Sequence, residues 1–217
     1  MVIKAILFDL DGTLLNTLSD LANAVNRVLL NKGFPTHKID AYRYFVGDGA
    51  EMLIKRALPN EKQEPETIRE CLQAFQVQYE QNWANETIPY DGITEMLDGL
   101  HGRGLKLAVL SNKPHDATVR CITSLLPDWS FDIILGQREA VPRKPDPAGA
   151  LEIADTLKIS PSAFLYLGDT AIDMKTARAA GMFPVGALWG FRTAAELSEN
   201  GAGALIIHPS EIFKLLS

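Results

Sequence analysis

Cysteine is scarce in this sequence. Cys71 and Cys121 are its only two, they stand far apart, and they match no metal-type spacing. A disulfide framework or a cysteine-built metal centre is therefore excluded. Both fall in segments that read as helical, as packed thiols of a reducing compartment do. Long apolar runs are missing as well, since nothing approaches the roughly 18 residues needed to cross a bilayer. Lys4 and Asp9 break the first apolar stretch before a signal-peptide core of roughly seven residues could form, so cytoplasm is the expected location. Positive charge is in deficit: 21 Lys and Arg against 27 Asp and Glu leave a net charge of −6 and a pI near 5.2. That balance argues against a nucleic-acid binder held on by a broad basic face. Internal repeats, low-complexity tracts and charge blocks are also lacking.

What is present is an ordinary globular composition, 47% hydrophobic and 22% charged over 217 residues, enough for one domain and a smaller second one. Short, nearly continuous aliphatic runs recur at Ile3–Phe8, Leu105–Leu110, Phe131–Leu135, Ala163–Leu167, Phe183–Leu188 and Ala204–Ile207. Such runs suit strands buried on both faces of a parallel sheet. Helix-length segments lie between them, at Gly92–Gly102, His115–Leu125, Pro147–Leu157 and Ile172–Ala180. The alternation predicts a doubly wound α/β domain. One interval breaks it. Leu18, Leu21, Ala22, Val25, Val28 and Leu29 repeat at helical spacing up to Gly33, and Ile68, Leu72, Phe75 and Tyr79 form a second stripe after Pro65. This predicts an all-helical insertion at 17–84 after the first strand, within an α/β core of 1–16 and 85–217, with hinges near Leu15–Thr17 and Asn85–Asp91.

Ligand sites of open α/β sheets lie beyond the carboxyl ends of the strands, so the residues that follow each run carry the functional reading. After the first come Asp9, Asp11, Gly12 and Thr13, with both carboxylates on one side if the backbone stays extended. After the second come Ser111 and Asn112, read as the entry to a helix whose free amides favour an anion. "PRKPDP" (142–147) presents Lys144 on a proline-stiffened lead-in to a helix. "GDTAIDM" (168–174) places Asp169 at a strand end and Asp173 one helical turn later. Each has an ordinary structural explanation on its own: a turn, a cap, a solvated lysine, a capping acid. Their joint arrival at strand ends in one domain points to chemistry.

These groups fit phosphoryl transfer. A hard divalent cation, Mg²⁺, would relieve the repulsion among Asp9, Asp11, Asp169 and Asp173, with Asp9 and Asp169 as direct ligands and Asp173 holding a bound water or supporting the first shell. Asp9 suits a carboxylate nucleophile, Asp11 a general acid and base, and Ser111, Asn112 and Lys144 the non-bridging phosphate oxygens.

"DLDGT", "SN", "RKPDP" and "GDTAIDM" resemble, in order, the motifs of the haloacid dehalogenase-like hydrolase superfamily across nearly the whole chain. The resemblance implies Asp9 as nucleophile, Asp11 as acid and base, Lys144 on phosphate, Asp169 and Asp173 on Mg²⁺, and the helical insertion as a small cap closing over substrate. "FVGDGAEMLIKRAL", "PYDGI", "RKPDPAGA" and "WGF" are similar to phosphoglycolate phosphatases, in which Asn often stands at the position of Asp48 and an acid at that of Asn16. The resemblance implies a small phosphorylated metabolite as substrate and a substrate-facing loop of Gly47, Asp48 and Gly49; the acidic charge balance and the lack of a long apolar run predict no nucleic-acid and no membrane partner. Trp189 and Arg192 stand after a further strand, where an entrance would lie, and packing suits Trp189 best. A phosphomutase of the beta-phosphoglucomutase type, a pyrophosphatase and, outside enzymes, a phospho-receiver module are the alternatives; monomer and homodimer both stay open.

Overall fold

The apolar run ahead of Asp9 forms strand β1 (Ala5–Phe8), all of it fully buried in the computed structural model, which describes residues 2–216. After a tight turn the chain leaves through the two-residue strand β2 (Leu15–Asn16) and enters three helices, α1 (Leu18–Asn31), α2 (Ala50–Ala57) and α3 (Pro65–Asn82). It returns through β3 (Ile88–Pro89), which pairs with β2. The order is then α4 (Ile93–His101), β4 (Lys106–Pro114), α5 (His115–Leu125), β5 (Ile133–Gln137), α6 (Ala148–Leu157), β6 (Phe164–Gly168), α7 (Ala171–Ala180), β7 (Phe183–Ala187), α8 (Ala194–Glu199) and β8 (Ala204–Ile206). Two units result, Met1–Leu15 with Pro89–Ser217, and Asn16–Ile88.

The first unit is the doubly wound sheet that the alternation predicts. Its strand order is β5-β4-β1-β6-β7-β8 and every pairing is parallel. From β1 the chain winds outward through β4 and β5, then crosses back to β6 on the other flank, so the strand order reverses beside β1. The register aligns Phe8 with Val109 on one side and Leu167 on the other, so β1 and β6 end at nearly one level while β4 runs on beyond them. Ala5 and Leu7 pack with Ala150, Ile153 and Ala154 of α6 and Ala177 and Ala180 of α7. Alanines on the facing helices let the layers approach closely. Phe8 points to the other face and meets Phe131 edge to face at 6.3 Å; complete burial of such a side chain contributes about 1.5–3 kcal/mol.

Element ends move from their expected places. β5 begins two residues late; just ahead of it the Asp132 carboxylate accepts from the Leu107 amide (2.9 Å) and Lys106 Nζ (2.6 Å). Pro147 caps α6 instead of beginning it. β4 continues past Leu110 through Ser111, Asn112 and Lys113, so the expected helix entry at Ser111 is strand, and α5 starts only at His115.

The second unit is all-helical apart from its connecting strands. The predicted stripe of α1 is buried, Pro65 opens α3 at its first turn, and α2 is an additional helix that the periodicity did not single out. Asp20 is buried and accepts from the Glu86 and Thr87 amides and from Thr87 Oγ1 (2.7 Å), tying the returning chain to α1. Cys71 in α3 and Cys121 in α5 are buried and free. Among the described residues no helix is long and apolar enough to cross a membrane.

Candidate active site

Asp9 is the first residue past β1, and its amide still donates to Leu167 O at 2.9 Å. Asp169 is the first past β6, and Asp173 lies in the first turn of α7. Their carboxylates converge: ligand oxygens of Asp9, Asp169 and Asp173 lie within 4.8 Å of one another, all buried. Asp173 is anchored by the helix it begins, where its Oδ2 accepts from the Thr170 amide (3.1 Å) and Thr170 Oγ1 (2.6 Å) in a capping box. Asp169 accepts from the Phe191 amide at 2.7 Å and from Thr13 Oγ1 at 3.2 Å. Two glycines make room for it. Gly12 has φ +88° and Gly190 faces Asp169 closely, so a Cβ on either would fall on the Asp169 side chain.

Lys144 enters this acid cluster from the loop ahead of α6. It is buried, and its Nζ donates to Asp9 Oδ1 (2.8 Å), Asp173 Oδ1 (2.7 Å) and the Leu110 carbonyl (3.0 Å). Burial alone would depress its pKa, but Asp173 and Asp9 outweigh burial and hold it well above the usual lysine value.

Asp9 and Asp11 take different lysine partners. The chain leaves the extended state after β1, with the Thr13, Leu14 and Leu15 amides all turning back to the Leu10 carbonyl, so the two-residue alternation ends. Asp11, expected among the acids on the cation, falls outside the cluster and pairs with Lys113, whose Nζ lies 3.1 Å from Oδ1 and 3.4 Å from Oδ2. Each carboxylate of the opening motif thus has its own lysine. Lys113, Thr13, Thr170 and the Phe191 amide had no role assigned from the sequence; for Lys113 the available signal was its place directly after "SN".

Ser111 and Asn112 are buried on the extension of β4. Ser111 Oγ accepts from the Lys113 amide at 3.1 Å, and the Asn112 carboxamide meets the Lys144 backbone. Trp189 donates its indole N–H to the Thr13 carbonyl at 2.9 Å, a packing role, and Arg192 pairs with Glu196 at 3.2 Å. In the helical unit, Gly47 (φ +127°) and Gly49 (φ +89°) flank Asp48, whose Oδ2 lies 2.6 Å from Arg56 Nη2. Arg56 Nη1 also donates to the Phe45 carbonyl at 3.1 Å, which fixes this loop on α2.

The charges in the cluster call for a cation. Burial, then the Asp173 charge, raises Asp9 to about 7 against the pull of Lys144. Burial, with the Asp9 and Asp173 charges, raises Asp169 well above the carboxylate range. Three ionised carboxylates and one ammonium leave a deficit of two positive charges, which one divalent ion balances. An all-oxygen donor set suits Mg²⁺, a hard ion that prefers carboxylate and water, and the residues present fit it.

A family model described as haloacid dehalogenase-like hydrolase matches residues 6–187. A phosphoglycolate phosphatase of Nitrosospira multiformis is 32% identical, covering 99% of this chain and 96% of its own. One from Aquifex aeolicus is 30% identical, covering 98% and 96%. The crystal structure of a predicted phosphoglycolate phosphatase from Haemophilus somnus 129pt superposes with a TM-score of 0.91 at 27% identity, covering 99% of this chain and 98% of that one.

Proposed function

The chain belongs to the haloacid dehalogenase-like hydrolase family and is a phosphoric monoester hydrolase, and from that premise we propose that it hydrolyses 2-phosphoglycolate through a phosphoryl group carried on Asp9. The observation that carries this reading is the convergence of Asp9, Asp169 and Asp173 at the carboxyl end of β1, with Lys144 bonded to Asp9 and Asp173. A buried carboxylate at that level can attack phosphorus only if negative charge on the phosphoryl group is offset.

The chemistry runs in two displacements. An Asp9 carboxylate oxygen attacks the phosphorus, the phosphorus–oxygen ester bond breaks, and the departing alkoxide takes a proton from Asp11. Water then attacks the aspartyl-phosphate as Asp11 takes a proton back, and inorganic phosphate leaves with Asp9 restored. Lys144, held by three acceptors, places a fixed positive charge beside the attacking oxygen, and Ser111 offers its hydroxyl to the phosphoryl oxygens. Asp9, Asp169 and Asp173 would hold Mg²⁺, which supplies charge neutralisation when bound.

The helical unit takes the part of a cap that selects among phosphomonoesters, with Gly47, Asp48 and Gly49 as its selecting loop. Replacing Asp48 by Asn removes the ion pair to Arg56, a partly exposed contact worth under about 1 kcal/mol. The expected outcome is a changed ranking of kcat/KM across substrates at a preserved maximal rate. An equal fall on every substrate would show that the loop does not select.

The reading is tested by phosphate release with Mg²⁺ from a panel of phosphorylated metabolites, inorganic pyrophosphate and a hexose phosphate. The highest kcat/KM is expected on 2-phosphoglycolate. Preference for pyrophosphate, isomerisation of the hexose phosphate without release, or a single slow self-phosphorylation would each install one of the competing activities in its place.

A further inference from the structure

We propose that Asn112 is a positioning residue that sets the Lys144 ammonium in place by clamping the Lys144 backbone, and not a group that binds the phosphoryl oxygens. The proposal rests on the reading of Lys144 as the cation beside the transferred phosphoryl group. The Asn112 carboxamide meets Lys144 twice: Nδ2 donates to the Lys144 carbonyl at 3.1 Å, and Oδ1 accepts from the Lys144 amide at 2.9 Å. Both partners are buried. A side-chain amide offers a neutral donor and acceptor side by side, the complement of a peptide's own pair.

Lys144 needs such a clamp because it sits in a turn, outside any strand or helix. The neighbouring loop bonds, Asp146 N to Arg143 O (3.0 Å) and Gln137 Nε2 to the Arg138 and Val141 carbonyls (2.7 and 2.8 Å), do not involve the Lys144 peptide groups. Strand β4 supplies the support from both ends. Two residues before Asn112, the Leu110 carbonyl accepts from Lys144 Nζ at 3.0 Å. Two residues of strand span about 6.6 Å, close to the reach of an extended lysine side chain. The same strand thus grips Lys144 at its backbone and at its ammonium, and the remaining two protons of that ammonium go to Asp9 and Asp173. This also accounts for the polar continuation of β4: the extra residues carry the clamp.

The test is a double-mutant cycle on the full-length protein with Mg²⁺, reading kcat/KM for phosphate release from p-nitrophenyl phosphate and inhibition by inorganic phosphate. Asn112→Ala is expected to lose about 10–100-fold in kcat/KM, the usual cost of removing a group that orients a reactive one. Asn112→Asp keeps the shape and the acceptor but turns an oxygen toward the Lys144 carbonyl; it is expected to fall in the same range, and it carries the comparison if the alanine variant fails to fold. In a Lys144→Ala background the Asn112 change is expected to add less than about twofold, because its effect passes through the missing ammonium. Losses that multiply would mean that Asn112 touches substrate itself, and an undiminished Asn112→Asp would mean that the clamp does nothing; either overturns the proposal. A Lys144→Ala variant at the wild-type rate would sink the reading of Lys144 itself, and the clamp's purpose with it.

Discussion

Asp9→Asn is expected to abolish phosphate release, with a loss of about 10⁴-fold or more, while the protein stays folded. The substitution removes the nucleophile and keeps its shape, and loss of an attacking group usually costs several orders of magnitude. Stability should hold or rise slightly. Burial and the charges of Asp173 and Asp11 already oppose the ionisation of Asp9, and Lys144 keeps Asp173 and the Leu110 carbonyl as acceptors. Rapid-quench kinetics and a thermal melt on the same preparation check both halves. Substantial turnover in a folded Asn variant would rule out covalent catalysis at this position.

Removal of divalent ions is the second large effect. Chelation with EDTA should bring turnover below detection, and excess Mg²⁺ should restore it. The protein should also melt earlier when chelated, because the ion binds the folded state: at 100 times its dissociation constant a ligand stabilises by about 2.7 kcal/mol, or about 5–10 °C for a chain of this size. Asp169→Asn separates the ion's two contributions. Removing one of the three converging carboxylates should relieve their repulsion and raise the melting point in EDTA, yet shrink the gain from Mg²⁺. A full Mg²⁺-dependent rise in that variant would take Asp169 out of the ion's ligands.

The sheet was legible because its strands are buried on both faces, and burial leaves aliphatic runs that no helix interrupts. Asp9, Lys144, Asp169 and Asp173 were legible because each stands next to such a run or to a proline-framed helix start. The polar end of β4 was not. Ser111, Asn112 and Lys113 look like the end of a strand when burial is inferred from apolarity, whereas here polar side chains are buried by bonding to Lys144 and Asp11. The separate lysine partners of Asp9 and Asp11 were hidden for a local reason. Alternation holds only while the backbone is extended, and the turn over the Leu10 carbonyl ends it one residue after Asp9. The Asp48–Arg56 pair was out of reach of sequence spacing for want of a sign that the loop folds onto α2.

The capping box at Asp173 ties the site to the integrity of α7. One oxygen of that carboxylate holds the Thr170 amide and hydroxyl while the other holds Lys144, so whatever draws on Asp173 also draws on the first turn of the helix. Deuterium uptake at the Thr170 amide then serves as a built-in reporter, slowing when the acids are engaged and quickening when they are not. On the proposed chemistry, a substitution at position 173 is expected to loosen the start of α7 and to weaken the acid cluster together.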